Sequence, residues 1–403
     1  MNQNASLDYD VCVIGSGAGG GPVAFRLAEE GYSVLVLEKG PWLTEKEFYK
    51  DELSCCRYPV YTPDLADEKH VLEDLNRAGE WVGESTEESG WDFWNGNMVG
   101  GSSNLMSGYF HRLKPEDFRL LSEFGPIEGA NIVDWPISYD DLEPYYTKTE
   151  TEVGVSGRVV KHRHLEPRST EDFPMPPTAE HPIVKHIDKA CEKLGYQSLP
   201  TPRAVLSQPK DGRRSCEYSG FCGSYGCASG AKGSSRAALL NRAIATGKCE
   251  IRADSKVNRL ISDAKGKVTE AEYVDAEGNL KKVSAKIFVV ACQAVETSRL
   301  LLASTGPKHP NGLANNHNQV GKNLVFSAGG VGSGDFIYSE MDKLSAQALH
   351  SRGPFVNRNL QEWYFIDDLE FGERAKGGTI DFLLRHPNAL SKAFPEKWDE
   401  NDQ

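Results

Sequence analysis

Long apolar runs are missing from this 403-residue chain: no stretch of 18 apolar residues occurs, which excludes a membrane-spanning helix of the usual kind. Basic segments are missing as well. Against 58 Asp and Glu there are 45 Lys and Arg, a formal net charge of −13 without a positive run, so neither nucleic acid nor an anionic membrane is an expected partner. The opening MNQNASLDYD lacks the basic-then-apolar order of a secretion signal, and the nine cysteines are scattered and odd in number. The expectation is therefore a cytoplasmic setting with mostly free thiols, with export alongside a signal-bearing partner left open. No internal repeat or low-complexity tract is present. With 39% hydrophobic residues the chain can bury sizeable cores, and its length predicts two or three domains.

Glycine, by contrast, is plentiful, and one grouping opens the chain. Tyr9 to Ile14 reads as a short apolar strand running into Gly15-Ser16-Gly17-Ala18-Gly19-Gly20. An amphipathic helix follows, then a second apolar strand, Ser33 to Leu37, closed by Glu38. This is the G-x-G-x-x-G fingerprint between strand and helix, with an acid eighteen residues beyond the last glycine. Gly15 is expected to make the tight turn, Gly17 to let backbone approach a pyrophosphate, and Gly20 to let helix and strand pack closely. The helix start offers unpaired N–H groups and partial positive charge to the phosphates. Glu38 can accept from both ribose hydroxyls and would repel a 2′-phosphate, which disfavours NADP. The pattern predicts an ADP-containing dinucleotide.

Beyond this βαβ unit the pattern is interrupted. Residues 41–96 are irregular and charged, and read as an excursion over a domain surface. Helical spacing returns at Tyr139 to Glu152 and at Ile183 to Leu194 within a polar, proline-rich region. Regular patterning resumes with a helix over Ala237 to Ile244, a short strand at Glu250 to Arg252, and a meander over Lys256 to Ile261, Val268 to Asp275 and Leu280 to Ser284. A buried strand is expected at Ile287 to Ala291, a helix at Ala294 to Ser304, and possible strands at Ser327 to Val331 and Thr379 to Leu384. A dinucleotide domain interrupted by a second domain explains this order better than two domains in sequence.

A second small-residue loop, Asn97 to Gly108 (NMVGGSSNLMSG), lies about sixty residues beyond Glu38. A simple nicotinamide-binding domain has no use for it. A flavoprotein does, because the isoalloxazine must lie against closely approaching backbone with N–H donors near its N5 and N1 edge. Four further segments accompany it: DWPISYDDLEPYY from Asp134, GCASGAKGSS from Gly226, ACQAVETSRLL from Ala291 and QVGKNL from Gln319. Together with the opening unit, these ordered segments resemble the glucose–methanol–choline (GMC) oxidoreductases, a family of FAD enzymes.

The resemblance implies an α/β fold (α+β overall) with a discontinuous Rossmann-like FAD-binding domain, an inserted substrate-binding domain and a truncated C-terminus. The implied layout is FAD-binding segments at 1–125 and 230–326, an inserted substrate segment at 126–229 and a partial substrate domain at 327–403. Position by position, Gly15, Gly17 and Gly20 would hold the pyrophosphate and Glu38 the adenosine ribose. Gly101, Ser102, Asn104 and Met106 would contact the flavin side, Val257 would meet adenine through its backbone, and Ala291 would pack on the adenosine. Several relatives attach FAD covalently through a histidine in the second loop; that position is Leu105 here, so non-covalent FAD is expected.

The resemblance ends near Asn323, whereas family members continue to a C-terminal part carrying the catalytic histidine. None of the ten histidines, among them His309, His317, His350 and His386, stands in that context, and no catalytic base is assigned. The implied reaction is oxidation of a CH–OH group of an alcohol, polyol or sugar, with hydride going to flavin N5 and electrons passing on to oxygen, a quinone or a partner protein. The chain is expected to be incomplete without a C-terminal segment, which a second polypeptide could supply. The alternative is a non-catalytic FAD-binding fragment or a subunit of a split enzyme; an NAD-dependent dehydrogenase is a third reading. Cys216, Cys222 and Cys227 are the one dense cysteine group. Some relatives bind an iron–sulfur cluster in this region, but the spacing matches no standard cluster or zinc pattern, so free thiols are expected and no metal ligands are assigned.

Overall fold

A computed structural model describes residues 7–48, 71–89, 96–219, 225–326, 329–350, 355–367 and 374–383. The chain divides into two compact units. Described residues within Met1–Met106 and Ser234–Gly332 form the first, and those within Ser107–Gly233 and Ser333–Ala389 the second.

The first unit is built on a six-stranded sheet. Strand β1 (Tyr9–Ile14) leads through the glycine turn into helix α1 (Gly20–Glu29) and strand β2 (Val34–Leu37). After the interruption come β3 (Cys249–Arg252), β4 (Lys256–Ser262), β5 (Val268–Val274) and β6 (Leu280–Val290), followed by helix α2 (Gln293–Ala303). The strand order is β3-β2-β1-β6-β5-β4. Strands β3, β2, β1 and β6 run parallel, and β4, β5 and β6 form an antiparallel meander. Parallel strands need cover on both faces, which is why β2 is buried at every residue. One face carries Cys12, Ile14, Leu35 and Leu37 against Leu260, Tyr273 and Val283 of the meander and Leu300 of α2. The opposite face carries Val11, Val13, Val34 and Val36 by alternation. Helix α1 lies on it: a Cβ on Gly20 would come 3.1 Å from Val13 Cγ1. Ala24, Phe25 and Ala28 are the buried side of α1.

This second face is not covered along its whole width. Val11 pairs in register with Ile287 of β6, so their side chains share a face. Val11 is 3% exposed and Ile287 58%.

Several expectations are corrected here. The strands anticipated at Leu280 to Ser284 and Ile287 to Ala291 are one continuous strand, β6, because Ala285-Lys286 supplies no glycine, proline or turn residue to break it. The helix anticipated at Ala237 to Ile244 starts at Ser235, where the Ser234 hydroxyl caps Ala237 N–H at 3.1 Å. It winds as a π-helix to Leu240 before an α-turn over Asn241–Ala245. Within the irregular stretch, Val71–Leu75 and Trp81–Ser85 pair as an antiparallel hairpin. Neither VLEDL nor WVGES alternates apolar with polar residues, because the hairpin is exposed on both sides, with Val71 and Trp81 both in solvent. Of the two late strands anticipated, residues 329–331 form none, and positions 327 and 328 lie outside the described residues; only Ile380–Asp381 of the other is a strand, with position 384 also outside.

In the second unit, Ser138 and Asp141 form a capping box that starts the helix Tyr139–Val153, and Gly154 ends it in the left-handed conformation. That helix faces a buried ionic network. Arg112 donates to both Glu150 oxygens at 2.7 and 2.8 Å and to Glu143 at 2.9 Å, while Arg168 donates to Glu150 at 2.6 Å. A second helix, Val184–Leu194, is ended by Gly195. Short strands Leu199–Pro200, Arg358–Leu360 and Ile380–Asp381 make an antiparallel sheet. Among the described residues no helix is long and apolar enough to cross a membrane.

Candidate cofactor site

The site is built at the C-terminal ends of β1 and β2, where ligands gather in open α/β sheets. Gly15 turns the chain with φ +91°, and a Cβ there would lie 2.5 Å from the Ala291 carbonyl oxygen, so the turn is closed against the end of β6. Gly20 sits against the Gly15 carbonyl, leaving no room for a side chain. Gly17 is different: a Cβ on it would meet nothing within 4 Å. The one glycine of the three that packing does not demand is the one whose open side a pyrophosphate would need. Ala18 and Gly19 are exposed at the start of α1, and no acidic residue stands in its first turn to oppose an anion.

Glu38 closes β2 and is buried. Its Oε2 accepts from the Ser16 N–H at 3.0 Å and the Ser16 hydroxyl at 2.5 Å, and its Oε1 accepts from the Gly40 N–H at 3.0 Å. Burial raises its carboxyl above the ordinary 4.5, and these three donors oppose that rise. With the Gly40 N–H as its one donor here, Oε1 has a second lone pair left to accept with.

The second loop forms a short 3-10 helix, Gly101–Asn104, capped by Gly100. It meets the first loop: a Cβ on Gly101 would lie 3.1 Å from the Gly17 Cα. The Gly100 N–H donates to the Ser16 hydroxyl oxygen at 2.8 Å. Asn104 is buried, and its amide donates to the Val99 carbonyl at 2.9 Å and the Gly101 carbonyl at 3.1 Å, so its donors shape the loop itself. The exposed Ser102 accepts from the Gly96 N–H at 2.9 Å. Met106 is partly buried at the loop's end.

Val257 approaches from the other side. The segment before it lies along Glu38, with Ser255 N–H donating to the Glu38 carbonyl at 2.8 Å and Asp254 N–H to the Gly40 carbonyl at 3.1 Å. The Val257 side chain joins the core, and its carbonyl accepts from Arg299 at 3.3 Å. Ala291 N–H bonds the Ile14 carbonyl at 2.8 Å, which fixes Ala291 beside Gly15. The first unit thus gathers Gly15, Gly17, Gly20, Glu38, Gly101 and Ala291 around one turn.

Residues 84–327 match the family model described as GMC oxidoreductase, more than half of the chain. The chain belongs to the GMC oxidoreductase family. Among its relatives, 2-methyl-1,2-propanediol dehydrogenase of Mycolicibacterium austroafricanum is 35% identical over 321 residues, 78% of this chain and 54% of that protein. The 6'''-hydroxyparomomycin C oxidase of Streptomyces lividus is 33% identical over 317 residues, covering 78% and 54%. The fructose dehydrogenase large subunit of Gluconobacter japonicus is 29% identical over 339 residues, covering 80% and 59%. Among solved structures, pyridoxine 4-oxidase from Mesorbium loti aligns at 19% identity with a TM-score of 0.45, over 74% of this chain and 52% of that chain. The chain spans about half the length of the curated relatives it matches.

The GMC motifs include Ser16 and Ser235 without giving either a role. Ser16 fills a variable position of the fingerprint, and Ser235 joins it by donating to the Ser16 carbonyl at 2.7 Å. One signal was available: Gly21, a glycine beyond the fingerprint, is where Ser235 presses against α1.

Among the described residues no histidine joins this cluster, whereas Cys292 does, its thiol donating to the Ile14 carbonyl at 3.3 Å beside Gly15. His309 is partly buried, with Nε2 2.9 Å from the Gly266 carbonyl, whereas His317 and His350 are exposed. In the second unit His111 Nε2 stands 3.2 Å from Asp381 Oδ1, a pairing the spacing could not reveal. Cys216 and Cys227 pack on one apolar cluster of Met175, Val205, Leu206 and Ala231. Burial pushes the Cys227 thiol up, but the Ser229 hydroxyl, the Lys232 N–H and the Lys232 charge bring it below its ordinary value. Cys222, Cys55, Cys56 and His386 lie outside the described residues. Among the described residues no group of three or more His, Cys, Asp or Glu could hold a metal ion.

Proposed function

We propose that this chain binds FAD non-covalently in its first unit and is part of an oxidoreductase acting on the CH–OH group of an alcohol, polyol or sugar. The observation that carries the reading is the meeting of the two glycine loops. Gly101 closes on Gly17 from one side while the other side of Gly17 stays open. FAD, when bound, supplies the hydride acceptor and the route for electrons onward. The chain's own residues bind and orient it. Gly17 and the start of α1 take the pyrophosphate, Glu38 takes a ribose hydroxyl, and the backbone around Ala291 and Val257 takes the adenosine. Gly101, Ser102 and Met106 border the flavin, and Asn104 holds the loop that carries them. Leu105 offers no nucleophile for a covalent bond. Relatives named for a diol and for fructose support the substrate class.

A positioned base contributes about 10²- to 10⁴-fold to such an oxidation. No residue of this chain is assigned that task. A second reading, a subunit of a split enzyme or a non-catalytic FAD-binding fragment, is favoured by the sheet itself. The face on which α1 lies leaves Ile287 58% exposed, which suits a further polypeptide packing there. The test is purification, FAD loading and a dye-reduction assay across alcohols, polyols and sugars. FAD binding with steady dye reduction supports a self-sufficient enzyme and refutes the fragment reading. FAD binding without turnover supports the fragment reading, and absence of FAD binding overturns both.

A further inference from the structure

We propose that Ser16 is a positioning residue that ties the ribose-side acid to the flavin-side loop, so that binding of one half of FAD organises the site for the other. The proposal rests on the FAD reading above and concerns a residue the family pattern leaves unspecified.

A serine hydroxyl has one proton to give and two lone pairs to receive. Here the proton goes to Glu38 Oε2 at 2.5 Å, and a lone pair takes the Gly100 N–H at 2.8 Å. Because the carboxylate claims the proton, the hydroxyl's orientation is settled and only acceptor capacity faces Gly100. A hydroxyl donating to a charged acceptor is polarised and becomes a better acceptor in turn. The two bonds span 22 and 84 residues of chain, so no local turn would make them. Gly100 caps the 3-10 helix Gly101–Asn104, and its N–H is therefore where the second loop is anchored.

Two neighbouring serines repeat the connection. Ser103 donates to the Gly100 carbonyl at 2.5 Å and accepts from the Ser235 N–H at 2.9 Å, while the Ser235 hydroxyl returns to the Ser16 carbonyl at 2.7 Å. The result is a closed ring, Ser16–Gly100–Ser103–Ser235, with Glu38 attached at one corner. Removing the Ser16 hydroxyl opens the ring where it meets the acid and strips a buried N–H of its acceptor.

A purely structural serine and a positioning serine differ in what they do to the two halves of the ligand. The full chain, as wild type, Ser16→Ala, Ser16→Cys and Ser16→Thr, is titrated with FAD and separately with ADP, and the visible circular dichroism of bound flavin is recorded. The expected result is a loss of roughly tenfold or more in FAD affinity for Ser16→Ala and Ser16→Cys, with ADP affinity changed by less than about threefold. The flavin spectrum should move toward that of free FAD, and Ser16→Thr should restore both. Equal losses for ADP and FAD, or unchanged FAD affinity, overturn the proposal. If Ser16→Ala does not fold, Ser16→Cys, which keeps the volume with poor hydrogen bonding, decides in the same way. A wild-type chain that binds ADP and not FAD would instead overturn the functional reading on which the proposal stands.

Discussion

Gly101 stands over Gly17: a Cβ built on Gly101 would lie 3.1 Å from the Gly17 Cα, bringing two loops eighty-four residues apart into van der Waals contact. The first loop is held from below by β1 and α1, and the second is brought to it through Gly100 and Ser16. Two glycine-rich segments that read separately as turns are therefore one structure within the first unit.

The glycines of the fingerprint should respond differently to the same substitution. Gly17→Ala adds a methyl group to open space, so the ligand-free protein should keep its stability to within about 0.5 kcal/mol. FAD affinity should fall by about tenfold or more as the methyl group meets the pyrophosphate. Gly20→Ala drives a Cβ into the Gly15 carbonyl and should destabilise the fold by about 1–3 kcal/mol. Urea unfolding with FAD titration of both variants checks the contrast; equal destabilisation by both would contradict it.

Much of this unit is legible in the sequence. The sequence marks both ends of β1 because an apolar run meeting Gly15 leaves little freedom in where a strand stops. The acid at Glu38 was legible from its spacing, but its burial was not, since that depends on Ser16 and Gly40 closing over it. The role of Ser16 is not legible there, since the fingerprint constrains glycines and the partner that gives Ser16 its meaning is Gly100, 84 residues away. The hairpin over Val71–Leu75 and Trp81–Ser85 leaves no apolar alternation in the sequence because it is exposed, and the polar Ser284 and Lys286 make the continuous β6 resemble two strands although no breaker residue divides it.

Glu38 gives the fold a pH dependence of defined sign. Burial raises its carboxyl above 4.5, so the folded state holds the proton more tightly than the unfolded state. The stability this adds is fully present below 4.5 and is lost as pH rises through the raised folded value. Glu38→Gln lacks the titration. The stability of wild type relative to Glu38→Gln, measured by urea unfolding without FAD, should therefore fall as pH rises through that window and then level off. Parallel pH profiles for the two proteins would show that Glu38 is not desolvated as described.

The ionic network of the second unit should be intolerant of truncation. Glu150 is 2% exposed and holds Arg112 and Arg168, whose side chains are 1% and 3% exposed. Glu150→Ala leaves two buried guanidinium groups short of a partner and should cost about 3–5 kcal/mol. Lys282→Ala, which breaks an exposed pair with Glu270, should cost less than about 1 kcal/mol. Denaturant midpoints of the two variants measure this, and similar shifts would contradict the difference in burial.

The most direct test of the account is titration of the purified chain with FAD, followed by acid precipitation and a spectrum of the supernatant. The account predicts saturable binding of one FAD per chain, abolished or strongly weakened by Gly17→Ala, with the flavin released intact into the supernatant. A chain that takes up no FAD would contradict the cofactor assignment itself, and flavin retained in the pellet would contradict its non-covalent attachment.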